Sequence, residues 1–284
     1  MWLHGGAFFA GGLDQPEADA FARALAVVGV RVVSVDYPLA PLLSTRWPMP
    51  PRSASGVVRA RFPAQVHDVG AVLAHVRSIH HPHPTPLLLG GASAGACLAA
   101  GAAAALTATN TAGNGAVEKR ANEASRPDGV VLAYGFFHAR LPPRSRAVRV
   151  RLRGRRRFIH SRWPMLAMNL NYTTSRTRLR DPSAFPGGHR LRGFPPTLLL
   201  DADRDGMRAS SDQFAWDLMA EGTPVEHRVL HESVHGFLGR PEEPAFAAGV
   251  DVIARWVLSA AAYREVRRAG RGGVDGAGDP RPTR

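Results

Sequence analysis

Apolar residues recur every three to four positions over 64–79, where Val66, Val69, Leu73 and Val76 share one face, and this spacing predicts a helix. Phe21, Leu25 and Val28 set the same period over 17–28, with Gly29 as the stop. Between such segments lie short apolar runs of another kind. Val30–Val35, Leu87–Leu89, Gly129–Tyr134 and Thr197–Leu200 read as strands buried on both faces, and Val225–Leu230 alternates as a strand. Small residues from Ala94 to about Thr109 predict a helix, as do 212–221, closed by Gly222, and 244–264. Strands alternating with helices predict an α/β fold with a mostly parallel sheet and helices on both faces. Residues 41–63 are a proline-rich loop and 110–128 a surface loop. Residues 136–195 have little strand signal and many Arg and Pro. They predict a cap inserted into a core of 1–135 and 196–263, with 264–284 a disordered tail.

The pattern gains chemical meaning at Leu87-Leu88-Leu89-Gly90-Gly91-Ala92-Ser93-Ala94-Gly95. A strand runs into Gly-x-Ser-x-Gly and a small-residue helix comes next, the context of a nucleophile elbow. In a chain with 29 glycines the motif alone is weak; its placement and two further segments strengthen it. One is His4-Gly5-Gly6-Ala7. Successive glycines leave backbone N–H groups bare, and such groups can converge on a developing oxyanion. Gly5 and Gly6 are the expected donors, with the Ala94 N–H as the next. The other segment places acids after one strand, in Asp201-Ala202-Asp203-Arg204-Asp205-Gly206, and a histidine after the next, at His235-Gly236-Phe237. A serine hydroxyl is too weak an acid to attack unaided. An imidazole can take its proton and return it, and a carboxylate fixes that imidazole's tautomer.

Other readings of these residues compete. Asp201, Asp203, Asp205, Gly206 and Asp212 match the spacing of a calcium loop. A leucine-rich strand precedes them, Arg208 takes an aliphatic position, and Asp212 is shorter than the bidentate glutamate such a loop uses. His80, His81 and His83 are interleaved with proline in an extended loop, a poor metal cage. His231 rivals His235 as the base but falls at the strand end. His4 is expected to shape its loop. Cys97, the only cysteine, is expected to be a buried thiol. Phe8, Trp163 and Met168 are candidates for the pocket lining.

These motifs together resemble the hormone-sensitive-lipase-like branch of the α/β-hydrolases, a family of carboxylesterases and lipases, over about residues 1–262. The family's His-Gly-Gly-Gly stands here as His4-Gly5-Gly6-Ala7, and its Asp-Tyr-Arg-Leu-Ala-Pro as Asp36-Tyr37-Pro38-Leu39-Ala40-Pro41. Its Gly-Asp-Ser-Ala-Gly-Gly stands as Gly91-Ala92-Ser93-Ala94-Gly95-Ala96. Counting back from the aromatic-Ala pair Phe214-Ala215, the resemblance selects Asp205 as the acid, with Asp203 its rival. It implies a triad of Ser93, Asp205 and His235, an acyl-enzyme and a small-molecule ester substrate, with no metal or cofactor. An amidase or deacetylase on the same triad, and a non-catalytic ligand- or polyanion-binding protein, are the alternatives. Ala92 replaces the family's acid beside the nucleophile. Family members carry further strands ahead of the oxyanion loop, whereas Met1-Trp2-Leu3 alone precede it here. A sheet short of its N-terminal strands, with a bare edge and poor solubility, is therefore expected.

Net charge is +13, but residues 139–162 hold ten arginines and no acid, and 264–284 hold six arginines against three acids. These two segments account for the whole excess. A solvated cap and tail explain it better than a nucleic-acid surface, and no nucleic-acid partner is expected. Loss of heparin retention on deleting Arg149–Arg157 would favour the polyanion reading. There is no signal-peptide pattern, and the longest apolar run, Ala96–Leu106, is too short to span a bilayer. A cytoplasmic location is expected.

Overall fold

The computed structural model describes residues 1–42, 50–79, 85–108, 126–152 and 160–272, with side chains to residue 259. Its strands are β1 (Trp2–Leu3), β2 (Ser34–Val35), β3 (Leu88–Ala92), β4 (Gly129–Ala133), β5 (Thr197–Arg204) and β6 (Val225–Val234). They form one sheet in the order β2-β1-β3-β4-β5-β6, and every neighbouring pair is parallel. The helices are α1 (Asp19–Val27), α2 (Ala64–Ile79), α3 (Ala94–Ala108), α4 (Arg146–Arg151), α5 (Arg162–Thr173), α6 (Arg208–Ala220) and α7 (Pro244–Gly272). This is the α/β architecture the pattern predicts.

Parallel strands covered on both sides must be apolar on both sides. Val130, Leu132 and Leu199 join one core with Val69 and Leu73 of α2, the small residues of α3, and Phe214 and Leu218 of α6. Val131, Ala133, Leu198, Leu200 and Ala202 join the other with Phe21 and Leu25 of α1 and Phe246, Val250 and Ile253 of α7. Alternate residues of one strand thus feed opposite layers, as the period of two requires.

Several boundaries differ from those the pattern predicts. The strand expected over Val30–Val35 shrinks to Ser34–Val35 at the sheet edge, because its partner β1 offers a ladder only two residues long. Arg31 and Val33 are exposed there. A cavity of about 330 Å³ adjoins this edge, lined in part by Trp2, Val30, Leu88 and Ile253. It lies at the N-terminal ends of β1 and β3, away from the glycine-rich turn. Strands β5 and β6 each run four residues longer than expected, and their pairing carries an irregularity between Ala202 and Arg204. The last helix continues to Gly272, past the point where a tail was expected at 264; residues 273–284 lie outside the described residues. So do His80, His81 and His83, most of the 110–128 loop, and Arg153–Arg157. Between β4 and β5 the insertion holds α4, α5 and a 3₁₀ turn at Arg178–Arg180, and no strand among its described residues. No helix among the described residues is long and apolar enough to cross a membrane.

Candidate active site

Ser93 stands in the turn between β3 and α3 with φ of 54°, a left-handed conformation that a residue with a β-carbon rarely adopts. Strain of this kind costs on the order of 1–3 kcal/mol and persists only where the surroundings enforce it. Here they do. A β-carbon on Gly91 would lie 2.4 Å from Gly95 O, and one on Gly95 would lie 2.2 Å from Leu3 O. The turn can therefore close hard against β1 only with glycine at both positions. The Ser93 N–H donates to Ala133 O at 2.9 Å, and its carbonyl accepts from the Ala96 and Cys97 N–H groups. The residue keeps 8% of its surface exposed, enough for the hydroxyl to meet a ligand.

His235 lies directly after β6, and Asp205 directly after β5. Because β5 and β6 are parallel neighbours, both residues emerge at the same end of the sheet as Ser93. His235 Nε2 is 3.0 Å from Ser93 Oγ, and His235 Nδ1 is 2.6 Å from Asp205 Oδ2. The other Asp205 oxygen accepts from the Met207 N–H at 2.9 Å and lies 3.0 Å from His160 Nδ1. Burial opposes the charge of Asp205, but the imidazoles of His235 and His160 outweigh it and hold the carboxyl well below the usual carboxylate range. Burial likewise opposes a charged His235. Asp205, with Glu17 and Asp201 beyond it, prevails and raises the imidazole above the ordinary histidine value. An imidazole so held can accept the serine proton through Nε2 while the carboxylate stabilises the resulting cation.

The competing residues go elsewhere. Asp203 accepts from Arg151 and from the Glu232 N–H, with Arg208 at 3.8 Å. Asp201 pairs with His227 Nε2 at 2.7 Å. Each aspartate of the calcium-like spacing is thus committed to its own partner, because β5 continues through Arg204 where a calcium loop would have to coil. His231 is exposed on β6. A second Ser–His–Asp chain also exists: His138 Nδ1 lies 2.8 Å from Ser210 Oγ, and its Nε2 is 3.2 Å from Asp217. Ser210 lies within α6, is fully buried and accepts from the Phe137 N–H, so that chain serves packing. Cys97 is buried, and burial pushes its thiol up, as an inert thiol requires. Phe8 is fully buried, stacked on Tyr172 at 3.9 Å, so it faces no pocket, and Trp163 is 71% exposed. Met168 packs against the core from a half-buried position.

The glycine loop needs one correction. The Gly5 N–H donates to Glu17 Oε2 at 2.6 Å, so Gly5 cannot serve an oxyanion. Gly6 and Ala7 come next at φ of 123° and 54°, and their N–H groups meet no acceptor among the described residues. The free donors are therefore shifted one residue along, and Ala94 N–H remains available beside them. His4 shapes this loop as expected. Its Nδ1 is 2.7 Å from Gly5 O, and its ring stacks on Tyr37 at 4.5 Å. The Tyr37 hydroxyl donates to His4 O at 2.7 Å, which explains the Asp36–Pro41 segment as a brace.

Two residues escape detection from sequence. His160, at the end of the arginine-rich run, packs edge-on to His235 at 4.5 Å and carries no motif. Glu17 reads as the first residue of a helix, but α1 starts at Asp19 and Glu17 is buried.

A parallel sheet with a strained serine on a strand-to-helix turn, faced by a carboxylate after β5 and an imidazole after β6, defines an α/β-hydrolase. A family profile described as alpha/beta hydrolase fold matches residues 1–239, and the chain belongs to this family, the hormone-sensitive-lipase-like α/β-hydrolases. A Pyrobaculum calidifontis esterase shares 25% identity at a TM-score of 0.70, over 91% of this chain and 75% of that one. The thermophilic carboxylesterase EstE1, cloned from a metagenomic library, shares 24% at 0.69, over 92% and 79%. Brefeldin A esterase, a bacterial homologue of human hormone-sensitive lipase, shares 21% at 0.69, over 92% and 68%. No curated protein matches the chain significantly.

Proposed function

We propose that this protein hydrolyses carboxylic esters of small molecules through a covalent acyl-enzyme on Ser93. Ser93 Oγ attacks the ester carbonyl as His235 Nε2 takes its proton, and Asp205 holds the imidazolium. The N–H groups of Gly6, Ala7 and Ala94 receive the oxyanion. Collapse of the tetrahedral intermediate expels the alcohol, protonated by His235. Water activated by the same imidazole then releases the acid and restores the serine. The insertion 136–195 acts as a cap; the contacts of His160 with Asp205 and of Arg151 with Asp203 support this, since both reach the ends of β5 from that segment.

The observation that carries the reading is the continuous chain from Ser93 Oγ through His235 to Asp205, 3.0 and 2.6 Å long at its two links. A fluorophosphonate probe should label the peptide bearing Ser93. Ser93→Ala should lose the label and at least about 10⁴-fold of 4-nitrophenyl ester turnover. Labelling at another serine, or turnover surviving in that variant, would refute the proposal.

A further inference from the structure

We propose that Glu17 is a positioning residue for this site, locking the oxyanion loop and the aromatic bed of His235 into one register through a single buried carboxylate. The inference rests on the roles just assigned to Ser93 and His235. The two oxygens of Glu17 are divided between the two halves of the site. Oε2 accepts the Gly5 N–H at 2.6 Å, and Oε1 accepts the Tyr134 hydroxyl at 2.5 Å. The Glu17 carbonyl also accepts from Trp2 Nε1 at 3.0 Å, which ties the segment to β1. Tyr134 in turn packs edge-on against His235 at 5.0 Å and against Phe237 at 4.7 Å.

A buried polar side chain needs hydrogen-bond partners, and both oxygens of Glu17 have one. What they do is directional. By consuming the Gly5 N–H, Glu17 turns that peptide away from Ser93 and leaves the next two N–H groups as the free donors. The fit is close: a β-carbon on Gly5 would meet Glu17 Oε2 at 2.4 Å and Ser93 Cβ at 3.2 Å. Glu17 also places a negative charge near His235 and favours its protonated form. The other groups bearing on that imidazole are Asp205, Asp201 and His160, the Tyr134 ring, and Arg240, whose guanidinium donates to His235 O at 3.4 Å.

Glu17→Ala and Glu17→Gln in the full chain test this, with thermal unfolding to establish the folded fraction. Glu17→Ala should lower kcat by about 10- to 100-fold, with KM changed less than about threefold, because a misaimed donor weakens the transition state and not substrate binding. It should weaken a trifluoromethyl ketone inhibitor, whose adduct carries an oxyanion, by a similar factor. Glu17→Gln keeps one acceptor oxygen, so its kcat should lie between those of Glu17→Ala and the parent. In both variants the acid limb of kcat/KM should move to lower pH, since a charge that favoured imidazolium is gone. If Glu17→Ala does not fold, Glu17→Gln decides through the acid limb and kcat. Folded variants with parental kcat and an unmoved acid limb would overturn the inference, as would a loss of activity matching the unfolded fraction alone. Ser93→Ala serves as the reference. If it remains active, the site reading itself fails; if it is dead while Glu17 variants behave as the parent, this inference alone fails.

Discussion

Replacing Asp205 with Asn removes one charge and almost no volume, and the local hydrogen bonds dictate how the new amide must sit. Oδ1 of Asp205 faces two donors, the Met207 N–H at 2.9 Å and His160 Nδ1 at 3.0 Å, whereas Oδ2 faces only His235 Nδ1 at 2.6 Å. An amide has one acceptor oxygen, and the side with two donors claims it. The NH₂ group then points at His235 Nδ1, which can answer only as an acceptor. The imidazole proton moves to Nε2, and Nε2 can no longer take the proton of Ser93, 3.0 Å away. Loss of a triad acid by this tautomer route lowers kcat by about 10⁴-fold, or about 5.5 kcal/mol of transition-state stabilisation. Steady-state hydrolysis of a 4-nitrophenyl ester, with circular dichroism to verify folding, measures it. Asp203→Asn is the control. Its partners are Arg151, Arg208 and a backbone N–H, so it should cost stability and leave kcat within a few-fold. A folded Asp205→Asn within tenfold of the parent, or a larger loss from Asp203→Asn, would refute the reasoning.

The same geometry sets three further outcomes. Gly95→Ala would set a methyl 2.2 Å from Leu3 O and 2.4 Å from His4 O, both backbone atoms, so it should destabilise the fold by about 2 kcal/mol or more. An unchanged thermal midpoint would contradict this. The raised His235 value means the base is protonated up to a higher pH than a free histidine, so kcat/KM should climb with an acid limb centred above about pH 6.5; a limb centred below that would show that Asp205 does not act on His235 as described. The depressed Asp205 value contributes stability that is full above the ordinary carboxylate value near pH 4 and drains away as pH falls toward the folded-state value. Thermal midpoints from about pH 5 down to pH 2 should therefore fall less steeply in Asp205→Asn than in the parent, and equal slopes would remove Asp205 from the acid-sensitive set.

Much of the frame is legible in local pattern. Helix α2 spans Ala64–Ile79 as its apolar spacing predicts, with Val66, Val69, Leu73 and Val76 buried. The turn at Ser93 is legible because only glycine tolerates the close approach at positions 91 and 95, and that demand is written in residue type. Strand β2 is less so. Val30–Val35 is apolar enough for a buried strand, but a ladder needs a partner alongside, and β1 pairs only Trp2 with Ser34 and Leu3 with Val35. The aspartates of β5 are ambiguous for a related reason. Their spacing suits a calcium loop until β5 is seen to continue through Arg204, which holds the chain extended and sends each carboxylate to its own partner.

The amino-acid sequence by itself determined the order of strands and helices, the strained serine turn, and the residue types able to accept and return a proton, because all of these depend on neighbours in the chain. Tertiary structure decided which carboxylate meets His235, that Gly5 is spent on Glu17, and that His160 and Tyr134 flank the base. Those contacts join residues 12 to 101 positions apart, and their energies depend on distance and burial, neither of which has any period along the chain.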